Sequence, residues 1–302
     1  MRILFLGGTG LTGPFAVRRL HALGHEVTVF HRGEHCAELP AGVREVTGDF
    51  AHPPAELLRP APDVVVPMWL LTASDTASFL DRFRGVAGRA VAISSCDVYR
   101  AYGRLKRLES GPPDPIPLAE DAPLRESRYP YPGGENADYD KILVEDALRA
   151  QSELPVTILR YPAVYGPHDR HRFGGWLARM EKNPSELTIE EGFADWRWTH
   201  GFAEDVAEAV VLAATDGGAA GRIYNAGEAE TPTWRERLEE WARVAGWSGR
   251  IVTGPAGELD YSHHLSIDSG RIRRELGYKE VVPREEGIAR TIAWERASAA
   301  VK

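Results

Sequence analysis

The residues whose chemistry is clearest form a glycine-rich turn near the start of the chain. Gly7-Gly8-Thr9-Gly10-Leu11-Thr12-Gly13 follows a short apolar strand at residues 3–6 and precedes a helix pattern that begins near Phe15. The first glycine permits a tight turn out of the strand, Gly10 lets a pyrophosphate approach the backbone, and Gly13 lets the helix pack closely. N–H groups at the start of that helix face the anion. With a second strand at residues 27–30, the turn predicts a dinucleotide-binding site.

The ends of the next three strands carry candidate contacts for the other parts of a dinucleotide. The second strand ends in His31-Arg32 without a carboxylate. A carboxylate there usually binds the ribose hydroxyls of NAD, whereas a guanidinium suits the 2′-phosphate of NADP, so this strand end favours NADP over NAD. Asp49-Phe50 follows the third strand, where the aspartate accepts a hydrogen bond from adenine or, alternatively, caps a turn. Met68-Trp69 follows the fourth strand on the nicotinamide side.

These side chains need a sheet that brings the ends of several strands together. Periodicity predicts further strands at 43–46, 63–66, 90–99, 156–160 and 221–227, and helices through 79–83, from about 136, and at 202–214, 233–246 and 268–277. Residues 111–132 are predicted to form an irregular loop, and the aromatic stretch 168–200 is also irregular. The pattern predicts an α/β fold with a Rossmann-type doubly wound parallel sheet, formed by residues 1–167 and 200–227. Residues 168–199 and 228–302 are assigned to a smaller substrate-binding lobe.

Composition, charge and residue spacing argue against several classes of partner and site. The 302 residues carry a net charge of -8 and no basic run, which argues against a nucleic-acid partner. The longest apolar run, 64–71, is too short to span a bilayer, and no leader segment precedes the glycine turn, so we expect a cytoplasmic protein without a membrane partner. Cys36 and Cys96 match no metal or redox spacing. The histidines at 168–171 and 263–264 lack a third ligand, and no metal site is predicted.

Six motifs occur in the order found in one enzyme family. They are the turn at 7–13, Gly48-Asp49, Ser94-Ser95 before Val98-Tyr99, Arg160-Tyr161-Pro162 before Val164-Tyr165-Gly166-Pro167, Glu204-Asp205-Val206-Ala207, and Asp268 with Arg274-Glu275-Leu276-Gly277-Tyr278. With these motifs the sequence resembles the extended short-chain dehydrogenase/reductase superfamily, in its NAD-dependent epimerase/dehydratase branch. The resemblance covers nearly the whole chain. It implies cofactor contacts from Lys141, Tyr161, Pro162 and Val164, and a homodimer formed through the helix that carries Lys141.

The resemblance also implies a catalytic serine, tyrosine and lysine. In such enzymes the tyrosine exchanges a proton with the substrate while the nicotinamide exchanges a hydride, the lysine lowers the tyrosine pKa and binds the nicotinamide ribose, and the serine orients the substrate oxygen. Ser95 and Lys141 match two of these positions. The tyrosine position, four residues before the lysine on one helix face, holds Ala137. Tyr139 lies only two residues before Lys141, so on a helix it is predicted to point to the opposite side.

Two explanations for Ala137 stay open. In the first, which we favour, Ala137 replaces a catalytic tyrosine and the chain is an impaired variant that holds its substrate without turnover. Restoring tyrosine at 137 should then raise turnover by about 10²- to 10⁴-fold. In the second, a natural chain takes its proton carrier from Asp97, Tyr99 or Cys96, near Ser95. Asp97 and Tyr99 are also candidate substrate contacts, because ligands bind at the carboxyl ends of parallel strands.

The substrate side departs from the family pattern as well. In nucleotide-sugar members an arginine seven residues before the aspartate at 205 often holds the diphosphate. Trp198 has that spacing here and Arg197 is one residue off, so on a strand the arginine faces the other way. Trp176, Trp198 and Tyr165 are candidates for stacking on a sugar ring, although core packing is the alternative.

The sequence therefore predicts an NAD(P)-dependent oxidoreductase of the epimerase/dehydratase type. Its substrate is a hydroxylated small molecule, a sugar or sugar nucleotide, which reacts by reversible hydride transfer. One alternative is an NADPH-dependent ketone or aldehyde reductase, which Arg32 and the missing phosphate arginine support. Another is a non-catalytic dinucleotide-binding sensor, which Ala137 permits. A cofactor that stays bound through purification favours the epimerase, and dependence on added NADPH favours the reductase.

Overall fold

The chain folds around one parallel sheet. A computed structural model describes residues 1–34, 37–50, 52–134, 136–169 and 173–299. The strands of the sheet are β1 (Arg2–Leu6), β2 (Glu26–His31), β3 (Arg44–Thr47), β4 (Val64–Pro67), β5 (Arg89–Ser95), β6 (Val156–Tyr161) and β10 (Ile223–Asn225). Their order across the sheet is β10-β6-β5-β4-β1-β2-β3, with all pairs parallel. The order reverses between β1 and β4, which is where open α/β sheets bind ligands.

Helices cover both faces of this sheet. Helices α1 and α6 lie on one face, and α2 and α4 lie on the other. The helices of the described residues are α1 (Gly13–Ala22), α2 (Ala73–Phe83), α3 (Arg100–Leu105), α4 (Lys141–Arg149), α5 (Gly174–Lys182), α6 (Ala203–Thr215), α7 (Trp234–Ala245), α8 (Gly270–Leu276) and α9 (Arg284–Ala299). Helix α1 packs with α6, and α2 packs with α4. Among the described residues, every helix is too short or too polar to cross a membrane.

The alternation of side chains along β1 explains this layering. Ile3 and Phe5 join the core that includes α1 and α6, whereas Leu4 and Leu6 join the core that includes α2 and α4. Each of these side chains is at most 3% exposed. Both faces of the strand are therefore buried, as expected for a parallel sheet covered by helices. The predicted doubly wound α/β fold is confirmed.

A third core lies outside the sheet and is largely aromatic. Phe173 stacks on Trp241 with ring centroids 4.1 Å apart, and Trp176 stacks on Phe193 at 5.4 Å. Two smaller parallel sheets flank it, β7 (Ala163–Tyr165) with β9 (His200–Phe202) and β8 (Glu186–Glu191) with β11 (Arg250–Ala256). The prediction of an irregular stretch at 168–200 is wrong for α5 and β8. The division of the chain into two lobes stays a prediction.

Two predicted boundaries at the sheet edge are also wrong. Strand β5 ends at Ser95 instead of continuing to residue 99, because the Ser95 hydroxyl accepts a hydrogen bond from the backbone of Asp97 and opens a 3₁₀ turn, Cys96–Val98. Helix α4 begins at Lys141 instead of near residue 136, because the Asp140 side chain caps it by accepting from the Ile142 N–H. Residues 136–140 are therefore not helical, and a helix-face argument cannot decide where the Tyr139 side chain points.

Candidate active site

The glycine-rich turn connects β1 to α1 with little space around its backbone. Gly7 and Gly8 have φ of +89° and +100°, which residues with a Cβ rarely adopt. A Cβ on Gly13 would lie 2.4 Å from the Cα of Gly8, so the first turn of α1 packs directly on the turn. A Cβ on Gly10, by contrast, would meet nothing within 4 Å. The backbone at Gly10 therefore has the open space that an approaching phosphate needs.

A cavity of about 370 Å³ opens beside this turn. The predicted cofactor residues that line it are Gly7, Thr9, Gly10, Leu11, Thr12, Gly13, His31, Arg32, Phe50, Met68, Trp69 and Tyr161. Gly8 of the same turn also lines it, as do Glu34 and Ile93, which the sequence does not single out. The cavity lies at the carboxyl ends of β1, β2 and β4, where a dinucleotide binds this type of sheet.

The far end of the cavity is aromatic and charged. Phe50 and Trp69 stack with centroids 4.9 Å apart, and the Arg32 guanidinium carbon lies 5.7 Å from the Phe50 ring centre. Arg32 also donates a hydrogen bond from Nη2 to Glu34 Oε2 at 2.8 Å. Glu34 supplies the carboxylate that the strand end itself lacks. It lies beyond the strand, and its position two residues after Arg32 is the signal that could have found it.

Several predicted cofactor residues do not line this cavity. Asp49 is exposed and its Oδ2 lies 3.3 Å from His52 Nδ1. Val164 is 6% exposed and belongs to the core around α6. Pro162 faces Gly201 and Gly227, whose Cβ positions would be 3.3 Å and 3.4 Å from its ring. Of the residues predicted to bind the adenine end, Phe50 lines the cavity and Asp49 does not.

A cluster of hydroxyls and one carboxyl lies at the end of β5. The Tyr139 hydroxyl donates to Asp97 Oδ2 at 2.9 Å, and the Tyr131 hydroxyl donates to the same oxygen at 3.1 Å. The Ser95 side chain also hydrogen-bonds the Tyr139 hydroxyl. Ala137, in contrast, is exposed on a turn and its N–H donates to Gly134 O at 3.4 Å. The tyrosine that reaches the serine is therefore Tyr139, which corrects the expectation that it points away.

Burial controls the proton affinities in this cluster. Asp97 is 4% exposed, and burial raises the pKa of its carboxyl above the usual range. Burial and the hydrogen bond to Asp97 together raise the pKa of Tyr139 well above its usual value, while the Ser95 hydrogen bond opposes that rise. Tyr139 consequently stays a protonated phenol at neutral pH.

Lys141 joins this cluster to the cofactor cavity. Its Nζ donates to Leu70 O at 2.5 Å and to Ile93 O at 2.9 Å, and it lies 5.7 Å from the centre of the Tyr139 ring. Burial lowers the Lys141 pKa to about 8. Since Ile93 lines the cavity, the ammonium fixes the wall of the cavity next to Tyr139.

Trp198 reaches the cluster and Arg197 does not. Trp198 Nε1 lies 3.5 Å from Cys96 Sγ, next to Ser95 in the chain. Arg197 donates from Nη1 to Thr231 O at 2.6 Å. Consecutive side chains of an extended segment alternate, so the arginine faces away from the end of β5, as its spacing predicts.

The other candidate substrate residues pack inside the protein. Tyr165 is 1% exposed and its ring lies 5.8 Å from that of Trp241. Tyr99 is fully buried and donates to Asn225 Oδ1 at 2.6 Å. Trp176 stacks on Phe193 in the aromatic core. These contacts give all three a structural role.

The histidine motifs form no metal centre within the described ranges. No group of three or more His, Cys, Asp or Glu side chains there is arranged to hold a metal ion. Arg170 and His171 of the first motif, and Cys36, lie outside the described residues.

Comparison with known proteins places the chain among nucleotide-dependent enzymes. Residues 3–227 match the model of the NAD dependent epimerase/dehydratase family. A 2'-dehydrokanamycin reductase from Streptomyces kanamyceticus is 28% identical over 85% of this chain and 70% of its own length. A 3-diazoavenalumate denitrifying reductase from a Streptomyces species is 29% identical over 96% of this chain and 100% of its own length.

Solved structures share the architecture. A dTDP-glucose 4,6-dehydratase from Streptomyces venezuelae, determined with NAD bound, has a TM-score of 0.74 and 25% identity, and the match covers 100% of this chain and 98% of that one. An epimerase from Methanothermobacter thermautotrophicus has a TM-score of 0.76 and 21% identity over 99% of this chain and 93% of that one. The second match supports the fold alone.

Proposed function

Because the chain belongs to the NAD-dependent epimerase/dehydratase family, we propose that it is an NAD(P)H-dependent reductase. Its reaction is the conversion of a carbonyl group on a small hydroxylated substrate to an alcohol. A bound nicotinamide cofactor supplies the hydride for such a reaction. The protein must hold that cofactor, orient the carbonyl and supply one proton to its oxygen.

The observation that carries this proposal is the hydrogen bond from Tyr139 to Asp97. Reduction needs a proton donor, whereas oxidation of an alcohol needs a base. Burial keeps Tyr139 protonated by raising its pKa, and the hydrogen bond to Asp97 acts in the same direction. A phenol held in this form serves reduction better than oxidation.

The remaining roles follow from position. The glycine turn faces the pyrophosphate, with N–H groups at the start of α1. Ser95, which shares a hydrogen bond with Tyr139, orients the substrate oxygen. Lys141 holds the backbone of Leu70 and Ile93 beside the nicotinamide end. Lys141 thus acts through the cavity wall.

The relatives support a reductase. Both curated relatives that match most of this chain are named as reductases. Arg197 is engaged with Thr231 on the far side of its segment, so the cation that would hold a sugar nucleotide's diphosphate faces elsewhere. We therefore propose a substrate without a nucleotide, in the class of keto sugars and related hydroxylated ketones.

A second candidate is an epimerase or dehydratase that acts on a sugar or sugar nucleotide with a retained cofactor. The family match favours it, as does the solved dTDP-glucose 4,6-dehydratase structure. The interpretation of the chain as an impaired variant belongs to this candidate. The impaired-variant interpretation requires that no tyrosine reaches Ser95, whereas Tyr139 contacts it.

The cofactor stoichiometry separates the two candidates. We would identify any retained NAD(P) by native mass spectrometry, then supply NADPH or NADH with a keto sugar lacking a nucleotide, and UDP-glucose in parallel. The reductase consumes one reduced cofactor for each alcohol formed and does nothing without added cofactor. Turnover of UDP-glucose with retained cofactor and no net NAD(P)H consumption would instead establish the epimerase or dehydratase.

A further inference from the structure

Asp97 occupies the centre of the hydrogen-bonded cluster. Its Oδ2 accepts from both Tyr139 and Tyr131, at 2.9 Å and 3.1 Å. Its Oδ1 is buried and has no hydrogen-bond partner among the described residues. An ionised carboxylate with one buried oxygen unsatisfied is costly, so this geometry favours a neutral, protonated carboxyl.

The charges around Asp97 do not reverse this preference. Arg125 and Lys141 face it and favour the ionised form, as do the hydroxyls of Tyr131 and Tyr139, but burial outweighs them and raises the pKa of Asp97. The Arg125 side chain is itself engaged, because Nη2 lies 3.3 Å from an Asp140 carboxylate oxygen.

The single proton of the Tyr139 hydroxyl poses a constraint. It cannot point at Asp97 and at a substrate oxygen simultaneously. When Tyr139 donates to a substrate carbonyl, its own oxygen is free to accept a hydrogen bond, and Ser95 and Asp97 are the side chains that contact it. Because Ser95 is assigned to the substrate oxygen, Asp97 is left to donate to Tyr139. That arrangement requires a proton on Asp97.

On the basis of the proposed reductase function, we propose that Asp97 is the source of the proton and that Tyr131 restores it. As hydride reaches the carbonyl carbon, the Tyr139 O–H bond breaks and an O–H bond forms on the substrate. At the same time the Asp97 O–H bond breaks and the Tyr139 O–H bond re-forms. Asp97 is left ionised, and the Tyr139 and Tyr131 hydroxyls then both donate to its Oδ2.

Tyr131 provides the route by which the proton returns. It lies in the segment between α3 and α4 that covers the end of β5, and it is hydrogen-bonded to Tyr102. The Tyr102 and Tyr131 rings are 5.9 Å apart, and both residues are half-buried. Tyr131 passes its proton to Asp97 and takes one from Tyr102, and Tyr102 takes one from solvent water, so both phenols are restored and solvent supplies the one proton that each reduction consumes.

The test compares Tyr131→Phe with Tyr129→Phe. Tyr129 lies two residues away in the same segment and is 49% exposed, so it controls for loss of a phenol there. With NADPH or NADH and a keto-sugar probe, Tyr131→Phe should keep the rate of the first turnover and lose about 10²-fold in steady-state kcat, because only proton return is slowed. Tyr129→Phe should match the unaltered protein.

The second kinetic test is the pH dependence of the first-turnover rate in Asp97→Asn. In the unaltered protein the first-turnover rate should fall as pH rises through the Asp97 pKa, because the protonated form is the active one. Asp97→Asn should be slower and should lack that fall. Infrared difference spectra, recorded without substrate, should show a protonated carboxyl band that disappears on raising pH and is missing in Asp97→Asn.

The outcomes distinguish a failure of the proton route from a failure of the proposed reductase function. If Tyr131→Phe behaves like Tyr129→Phe, or if the carboxyl band is missing at every pH in the unaltered protein, the proton route is wrong and the reductase stands. If Tyr139→Phe retains full activity, the proton donor of the proposed function is wrong, and the route fails with it.

Discussion

Two opposing influences act on the Tyr139 hydroxyl. Burial and the hydrogen bond to Asp97 raise the pKa of the phenol, whereas the Ser95 hydrogen bond lowers it, and the rise prevails. A lysine ammonium beside the hydroxyl would have the opposite effect. Here Lys141 instead donates to two backbone carbonyls. The local contacts therefore suit proton donation, which is the direction that a reductase needs.

The carboxylate at the cavity rim should govern the choice of cofactor. Glu34 holds Arg32 at 2.8 Å, and both side chains are more than half exposed. Glu34→Gln should tighten NADPH binding by about two- to fivefold, the range that an exposed ion pair is worth, because Arg32 is released for the 2′-phosphate. NADH binding should weaken, because a ribose-binding carboxylate is lost.

Fluorescence titration with each cofactor measures both constants for the Glu34 variant. Glu38→Gln, on the same segment but outside the cavity lining, is the matched control and should bind both cofactors unchanged. A Glu34→Gln protein whose NADPH and NADH constants both stay fixed would show that the rim carboxylate has no part in the choice.

The sequence predicts the residues that line the cavity better than it predicts the tyrosine that contacts Ser95. The glycine turn and the ends of β1, β2 and β4 depend on local pattern and on strand order. The position of Tyr139 depends on where α4 begins, and Asp140 sets that boundary through its cap. Residues 136–138 contain no helix breaker that marks the boundary in the sequence, so spacing alone placed Ala137 on the helix.

Among the elements, the start of α6 ties the C-terminal region to the sheet. Asp205 Oδ1 accepts from the Val281 and Val282 N–H groups at 2.7 Å and 2.9 Å. Its carboxyl is 3% exposed, and burial raises its pKa from 3.8 to about 6. The same carboxyl thus satisfies two amides while carrying a charge that burial disfavours.

Two Asp205 variants should separate the hydrogen bonds from the charge. Asp205→Ala should lower the free energy of unfolding by about 2–3 kcal/mol, because two partly buried N–H groups lose their acceptor. Asp205→Asn keeps an acceptor oxygen and should lose less. Because the folded pKa is raised, the aspartate's advantage is present below about pH 4 and is lost as pH rises through about 6.

Urea unfolding at several pH values measures these effects. The stability difference between the unaltered protein and Asp205→Asn should shrink as pH rises from 4 to about 7. A difference that grows over this range would mean that the folded carboxyl has a lowered pKa, contrary to its burial.

At the scale of the whole molecule, cofactor binding should raise the free energy of unfolding. The cavity lies where strand order reverses, and ligand that binds only the folded state adds about 2.7 kcal/mol at 100 times its Kd. Gly10 and Gly13 affect this coupling differently. A Cβ on Gly13 would clash with Gly8 at 2.4 Å, whereas a Cβ on Gly10 meets nothing within 4 Å.

Gly13→Ala should therefore lower Tm in the absence of cofactor. Gly10→Ala should keep that Tm and lose most of the increase that saturating NADPH or NADH produces, because the methyl group occupies the approach of the pyrophosphate. Differential scanning fluorimetry with and without cofactor measures both. If Gly10→Ala retains the full cofactor-dependent increase, the pyrophosphate does not approach the backbone there.

At this scale the sequence predicts the central sheet and misses the smaller ones. Strands of the parallel sheet are apolar on both faces and show clearly as local runs. Strand β8 pairs with β11, more than fifty residues later, and alternates polar with apolar residues in an aromatic segment. That pairing depends on contacts distant in sequence, which local periodicity does not report.

We propose that Tyr139 supplies the proton and that a tyrosine at position 137, where this chain has Ala137, is not needed. The most direct measurement is kcat for reduction of a keto sugar by NADPH or NADH in the unaltered protein, in Tyr139→Phe and in Ala137→Tyr. We predict that Tyr139→Phe loses about 10²- to 10⁴-fold while cofactor affinity is retained, and that Ala137→Tyr leaves kcat unchanged. A large gain in Ala137→Tyr, with Tyr139→Phe unaffected, would contradict the account and establish the chain as an impaired variant.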